Sequence, residues 1–182
     1  YARHQPLSLS ASLVFEQSYS HVDGDSASLG ELCALLSALA DVPIRQSFAL
    51  TGSVNQFGEV QVIGGVNEKI EGFLDLCRER GLDSSHAVII PTACVPHLML
   101  REDVVEAARQ NLFRIHAVSS VDEAITLLTG LPAGTPDNKG VLPIGTFNHK
   151  VAQALATLAA ARNAPRSGDS HHRVRRRSEG EE

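Results

Sequence analysis

The sequence lacks tryptophan, and among its 182 residues it has one methionine, three cysteines and few aromatic residues. Leu, Val, Ile and Ala must therefore build the hydrophobic core, and 43% hydrophobic with 20% charged residues is ordinary for a globular protein. Cys33, Cys77 and Cys94 form no Cys-x-x-Cys pair, and the first two stand beside leucines in helical patterns. This pattern favours small core side chains in a reducing, cytoplasmic compartment over disulfides or a zinc site.

Long hydrophobic runs and phosphate-binding loops are also missing. No apolar run approaches the roughly 18 residues of a membrane-spanning helix, and no signal-peptide pattern precedes the predicted fold. The Gly-x-x-x-x-Gly-Lys-Ser/Thr loop is absent, so the chain cannot bind ATP by that device. A net charge of -5 gives no reason to expect nucleic-acid binding. The chain begins at Tyr1 and not at Met, which we interpret as processing or as a fragment of a longer protein.

Hydrophobic periodicity predicts strands that alternate with helices. Predicted strands cover residues 7–19, 44–54, 59–63, 87–90 and 112–118, and the second and third form a hairpin around Asn55–Gly58. Predicted helices cover residues 26–40, 66–80, 103–111, 121–129 and 151–162. This order indicates an α/β (α+β) fold with mixed sheets and packed helices. We divide the chain into a core over 1–130, a loop with an Ala-rich helix over 131–164, and a disordered charged tail over 165–182.

Ser26 stands in the stretch Asp-Gly-Asp-Ser-Ala-Ser, at the start of the first predicted helix. One interpretation is structural, because Asp25 or Ser26 would cap the free amides of the first turn. The other is catalytic, since those amides can also stabilise an oxyanion formed when a serine hydroxyl attacks a carbonyl. This segment alone leaves both interpretations open.

Lys69 follows in the stretch Ile-Gly-Gly-Val-Asn-Glu-Lys, near the start of the second predicted helix. An ordinary lysine here would be a solvated surface residue. A lysine that activates a serine must instead be neutral, which predicts burial among apolar neighbours that lowers its pKa from about 10.4. We interpret Gly64 and Gly65 as positions where the backbone closely approaches a neighbouring segment.

These segments resemble the proteolytic domain of Lon-family ATP-dependent serine proteases, in which a serine box precedes a Gly-Gly-x-x-Glu-Lys box. The resemblance covers about residues 10–130. It implies Ser26 as the nucleophile, Lys69 as the base, and Thr51 of Leu-Thr-Gly as a hydrogen-bond partner of the lysine. The Asp-Gly-Asp-Ser form is more similar to the archaeal and membrane-type branch than to the Asp-Gly-Pro-Ser of many bacterial members. Asp23 and Asp25 either orient the site or pair with Lys69 in a resting state.

The resemblance also implies a fold and a function. We expect a Lon-like serine endopeptidase that cleaves unfolded or damaged proteins through an acyl-enzyme, with no metal or cofactor in this chain. An ATPase that uses ATP and Mg²⁺ would lie in cis or in trans, and the subunits would form a ring, usually a hexamer. A membrane is not expected as a partner, nor is nucleic acid.

Two other classes of function stay open beside the protease. One is a non-catalytic Lon-like scaffold that assembles rings for an ATPase or binds nucleic acid. The other is an anion-binding α/β module that uses residues 24–28 as a phosphate nest, which Asp23 and Asp25 disfavour by repulsion. The basic run at residues 173–177 indicates either a solubilising tail or a weak polyanion-binding one. Among the histidines, only His21 stands near the serine box, and it needs no catalytic role.

Overall fold

The structure, a computed structural model of the chain, describes residues 1, 7, 9–14 and 24–163. Its helices are α1 (Ser28–Ala40), α2 (Val66–Arg80), α3 (Glu102–Arg109), α4 (Val121–Thr129) and α5 (Phe147–Asn163), with a 3-10 helix at Thr92–His97. Its strands are β1 (Phe48–Leu50), β2 (Ser53–Val54), β3 (Val60–Gln61), β4 (Ala87–Pro91) and β5 (Arg114–Val118).

The strands form one parallel sheet and one antiparallel hairpin, which confirms the predicted α/β fold with mixed sheets. The parallel sheet has the order β1-β4-β5, and β2 pairs with β3 in the hairpin. All five residues of β4 are buried, as expected for a central strand covered on both faces. Ile89 of this strand packs in a hydrophobic cluster with α1, α4 and α5, while Val88 and Ile90 pack in a second cluster with α2 and α3. The described residues therefore form helix, sheet and helix layers.

Two helices have the bounds that the sequence predicts, and glycine or a capping side chain stands at their ends. Helix α2 ends before Gly81, whose φ of +96° lies in the left-handed region that glycine adopts readily. Helix α4 begins after Ser120, whose hydroxyl accepts a hydrogen bond from the Glu123 amide, and it ends before Gly130. Local sequence was sufficient in both cases because the stop and start signals act within one helical turn.

The prediction of one strand over residues 44–54 is wrong, because this segment forms two separate strands, β1 and β2. The Thr51 amide donates to the Ile89 carbonyl, so Thr51 still follows the parallel sheet. The next amide, Gly52, donates to the Ser26 carbonyl at 2.9 Å, and the chain then enters the hairpin as β2. The predicted strand over 7–19 is not found in residues 7 and 9–14, and residues 15–19 lie outside the described ones. The 3-10 helix after β4 was not predicted.

Helix α5 packs on the domain and carries the hydrophobic core past residue 130. It begins at Phe147, earlier than the predicted 151, and Phe147 and Val151 are both fully buried. They share a cluster with Leu29 and Cys33 of α1. The predicted tail over 165–182 lies outside the described residues. No helix within residues 24–163 is long and apolar enough to cross a membrane.

We expect Phe147→Ala to lower the free energy of unfolding by about 3 to 5 kcal/mol, because it leaves a cavity between α5 and α1. Leu158→Ala on the same helix is the control, since Leu158 is 40% exposed and its loss costs below about 1 kcal/mol. Urea unfolding followed by circular dichroism measures both. Equal effects of the two substitutions would show that α5 is not part of the core.

Candidate active site

Ser26 lies just before α1, and it does not cap the helix. The N-cap residue is Ala27, and no side chain caps this end. The Ser28 amide donates to the Asp25 carbonyl at 3.0 Å, and the Leu29 amide donates to the Gly52 carbonyl at 3.1 Å. The capping interpretation is therefore wrong. Two of the amides at the helix start, those of Ser28 and Leu29, are thus already bonded and cannot hold an oxyanion.

Residues 25–29 are hydrogen-bonded side by side to residues 51–54, a set of contacts that we call the serine seam. The Ser26 carbonyl accepts from the Gly52 amide at 2.9 Å and from the Thr51 hydroxyl at 3.2 Å. The Leu29 amide donates to the Gly52 carbonyl, and the Val54 amide donates to the Ser28 hydroxyl at 3.1 Å. The Ser53 hydroxyl donates to Asp25 Oδ2 at 2.7 Å. A side chain at Gly52 would meet Leu29 Cδ2 at 3.0 Å. Glycine thus suits this position, because the Leu29 side chain would have to shift by a few tenths of an ångström to admit a Cβ atom.

Lys69 reaches the seam from the first turn of α2. Its Nζ donates to Ser26 Oγ at 2.9 Å and to Thr51 Oγ1 at 3.4 Å. Thr51 is only 7% exposed, and its hydroxyl also donates to the Ser26 carbonyl. The structure therefore brings Ser26, Lys69 and Thr51 together, with the threonine hydroxyl between the serine backbone and the lysine.

Lys69 is exposed, so the expectation that it is buried among apolar neighbours is wrong for this chain. The buried face of α2 is formed by Val66, Ile70 and Leu74. Lys69 lies on the flank of that face, since successive helical residues are separated by 100°. Residues 24–163 therefore provide Lys69 with hydroxyl partners but not with an apolar enclosure.

The structure describes only one of the two aspartates that stand before Ser26 in the sequence. Asp23 lies outside the described residues, as does His21. Asp25 is exposed, and its carboxylate accepts a hydrogen bond from Ser53. Within residues 24–163, Lys69 forms no ion pair, so of the two alternatives for Asp25 the pairing with Lys69 is not present.

Sequence reasoning missed Ser53 and gave the wrong reason for the glycine pair. Ser53 is 5% exposed, and the signal available was its place two residues after Thr51 in Thr-Gly-Ser. At Gly64 and Gly65 there is space for a Cβ atom, so close approach is not the reason for either glycine. Gly65 has a φ of +68°, the left-handed region that permits the turn into α2.

The described part of the chain contains no group of three or more His, Cys, Asp or Glu side chains that could hold a metal ion. Burial raises the pKa of the Cys33 thiol to about 12. A thiol with this pKa stays protonated near neutral pH and is a poor nucleophile. The chemistry of the site thus depends on a serine hydroxyl that accepts a hydrogen bond from a lysine, an arrangement typical of serine hydrolases with a lysine base.

Comparison with known proteins agrees with this class of site. The family model of the Lon protease (S16) C-terminal proteolytic domain matches residues 18–130, more than half of the chain. The chain therefore belongs to the family of Lon proteolytic domains, which are serine proteases.

Individual relatives bear related names. A Lon protease homologue of Escherichia coli K12 is 53% identical over 151 residues, which cover 82% of this chain and 25% of that protein. A second homologue, from Haemophilus influenzae, is 52% identical over 68% of this chain and 21% of its own length. The archaeal Lon protease of Methanocaldococcus jannaschii is 38% identical over 69% of this chain and 16% of its own length. The chain thus spans a quarter or less of the length of these relatives.

We expect Gly65→Ala to lower the free energy of unfolding by about 1 to 2 kcal/mol, because alanine is strained at a φ of +68°. Gly64→Ala is the matched control, since Gly64 has no left-handed φ and no atom within 4 Å of an added Cβ. Chemical denaturation measures both variants. If Gly64→Ala were the more destabilising of the two, the conformational reason given for Gly65 would be wrong.

Proposed function

We propose that Ser26 and Lys69 form the catalytic dyad of this serine protease domain, and that the domain cleaves unfolded polypeptides through an acyl-enzyme. The observation that carries the proposal is the hydrogen bond of 2.9 Å between Lys69 Nζ and Ser26 Oγ. A base must lie within hydrogen-bond reach of the proton that it removes, and this distance meets the requirement. Thr51 supports the dyad because it bonds to both residues.

The mechanism is acyl transfer with one residue that moves protons. Lys69, in its neutral form, takes the proton of Ser26 as Oγ attacks the scissile carbonyl carbon. The tetrahedral intermediate collapses as Lys69 protonates the leaving amine, which breaks the peptide bond and leaves an ester on Ser26. Lys69, neutral again, removes a proton from water as the water oxygen attacks the ester carbonyl carbon. The second tetrahedral intermediate collapses as Lys69 gives that proton to Ser26 Oγ, which breaks the ester bond, releases the carboxyl product and restores both residues.

The donors that stabilise the oxyanion must be amides that are not already hydrogen-bonded at the start of α1. The Ser28 and Leu29 amides are bonded to carbonyls of the seam. For the amides of Ser26 and Ala27, no acceptor occurs among the described residues. We therefore assign the oxyanion to these two amides, which precede the helix and lie beside its positive end.

The exposed position of Lys69 has a consequence for when the site works. A charged ammonium that faces water is well solvated, and removing that water favours the neutral form that the mechanism needs. We propose that a bound substrate or a neighbouring subunit covers Lys69 and supplies this desolvation. This would restrict peptide cleavage to the state in which Lys69 is covered.

We propose further that the domain acts with an ATPase that uses ATP and Mg²⁺, in the same polypeptide or in a partner. Its support is that the chain spans a quarter or less of its relatives, which are named as Lon proteases or homologues. In this arrangement the proteolytic domains form a hexameric ring in the cytoplasm, and substrates are damaged or unfolded proteins. The Asp-Gly-Asp-Ser box supports placement in the archaeal and membrane-type branch.

We expect Ser26→Ala and Lys69→Ala each to reduce hydrolysis of a fluorogenic peptide to the assay background, because neither half of the dyad acts without the other. Lys139→Ala is the matched control, since Lys139 is an exposed lysine in a turn, where its amide donates to the Asp137 carboxylate. The assay is run across a protein-concentration series. Specific activity that rises with concentration indicates that subunit assembly completes the site.

Two results would contradict this assignment. Wild-type activity that survives in Ser26→Ala would place the nucleophile elsewhere. A wild-type protein that is inactive at high concentration and does not bind a peptide boronate at Ser26 would leave the non-catalytic scaffold as the function.

We expect Thr51→Val to lower kcat by about 10- to 100-fold, because the lysine loses its second hydroxyl partner and no longer holds one position. Thr51→Ser keeps the hydroxyl and should retain most of the activity. Steady-state kinetics of the two variants, with circular dichroism to confirm folding, measure the difference. Equal loss in both variants would assign the effect to the methyl group and therefore to packing.

A further inference from the structure

Ser53 is a buried polar residue beside the site, and it takes no part in the acyl-transfer steps. It is 5% exposed, and its hydroxyl donates to Asp25 Oδ2 at 2.7 Å. Its backbone pairs with Gln61 in the hairpin, so strand formation does not require the hydroxyl. The hydroxyl of Ser53 therefore acts on Asp25, the residue that precedes the nucleophile.

The direction of the Asp25 carboxylate matters because Lys69 is close to the same segment. Lys69 donates to Ser26 Oγ, and Ser26 is the next residue after Asp25. A carboxylate within about 4 to 6 Å of a lysine favours the charged ammonium. A charged ammonium cannot take the proton of Ser26. The bond from Ser53 holds this carboxylate on the hairpin, while Lys69 keeps hydroxyl partners.

Other charged groups near Lys69 have their own positions in the structure. Glu68 precedes Lys69 on α2, and its side chain lies beside Gly65 at the start of the helix. Glu59 belongs to the hairpin, where its carboxylate accepts a hydrogen bond from the Asn55 side chain at the turn. Among the elements that form the described site, Asp25 is therefore the carboxylate whose direction the Ser53 hydroxyl sets.

We propose that Ser53 is a positioning residue that holds the Asp25 carboxylate away from Lys69 and so keeps Lys69 able to accept the proton of Ser26. The inference rests on the proposed function, because it takes Lys69 as the base. It adds that the Ser53–Asp25 hydrogen bond sets the pH range in which the dyad works.

The test is the pH dependence of the covalent reaction of Ser26 with a small fluorophosphonate, followed by intact mass between about pH 6 and 10. This probe reports the reactivity of Ser26 and does not require peptide turnover. In Ser53→Ala the carboxylate loses this donor, and we expect it to turn toward Lys69. The ascending limb of the profile should then move to higher pH by about one unit, which is a roughly tenfold slower reaction on that limb.

Three further variants separate positioning from loss of structure. Adding Asp25→Asn to Ser53→Ala removes the carboxylate charge and should return the limb to the wild-type pH. Ser28→Ala removes a different hydroxyl of the serine seam, which accepts from the Val54 amide, and should not move the limb. Ser53→Cys keeps nearly the same size with a weaker donor, and should move the limb in the same direction by less.

The experiment separates failure of the Ser53 role from failure of the proposed Ser26–Lys69 dyad. If wild-type labelling requires both Ser26 and Lys69 but the Ser53→Ala and Ser53→Cys profiles coincide with the wild-type profile, Ser53 has no positioning role and the dyad stands. If the limb moves equally in Ser28→Ala, the effect is general loosening of the seam and the proposal fails. If labelling is the same in wild type and Ser26→Ala, the proposed function itself fails.

Discussion

The hydrogen bonds between the Ser26 carbonyl and the Thr51–Gly52 segment are the contacts on which the site depends. They join the start of α1 to the point where the chain leaves the parallel sheet for the hairpin. Glycine at position 52 suits the approach, because a Cβ atom there would make a tight contact of 3.0 Å with Leu29 Cδ2. The seam fixes the nucleophile against a rigid scaffold, which is how a site avoids the cost of ordering its groups for each reaction.

The layers of the fold bring the base to this seam from the opposite side of the sheet. Helix α2 packs with α3 and with Val88 and Ile90 of β4, while α1 packs on Ile89 with α4 and α5. Ser26 precedes α1 and Lys69 lies on α2, so the two catalytic candidates stand on elements that pack in two different core clusters, and the buried central strand contributes residues to both. Core packing on both faces of β4 therefore contributes directly to the short distance between Ser26 and Lys69.

The polar contacts of the site are divided between two kinds of partner. Hydroxyl groups of Ser26 and Thr51 accept from Lys69, while the nearby carboxylate of Asp25 accepts from Ser53. This division matters because a hydroxyl can hold a lysine without the strong preference for the charged form that a carboxylate imposes. Residues 24–163 do not supply an apolar cover for Lys69, which is why we propose that substrate or a neighbouring subunit completes the site.

Local sequence was sufficient for the family, the fold class and most helices. Helix α2 and helix α4 have the predicted bounds because their stop and start signals act within a turn, and the serine and lysine boxes carry the resemblance. Only the tertiary structure decided that the strand over 44–54 divides at Thr51, that the amides of Ser28 and Leu29 are already bonded, and that Ser53 meets Asp25. Each of these contacts joins segments distant in the sequence, and periodicity carries no information about which distant segments meet. The exposure of Lys69 has the same origin, since a side chain on the flank of a helix is covered or open according to what packs beside it.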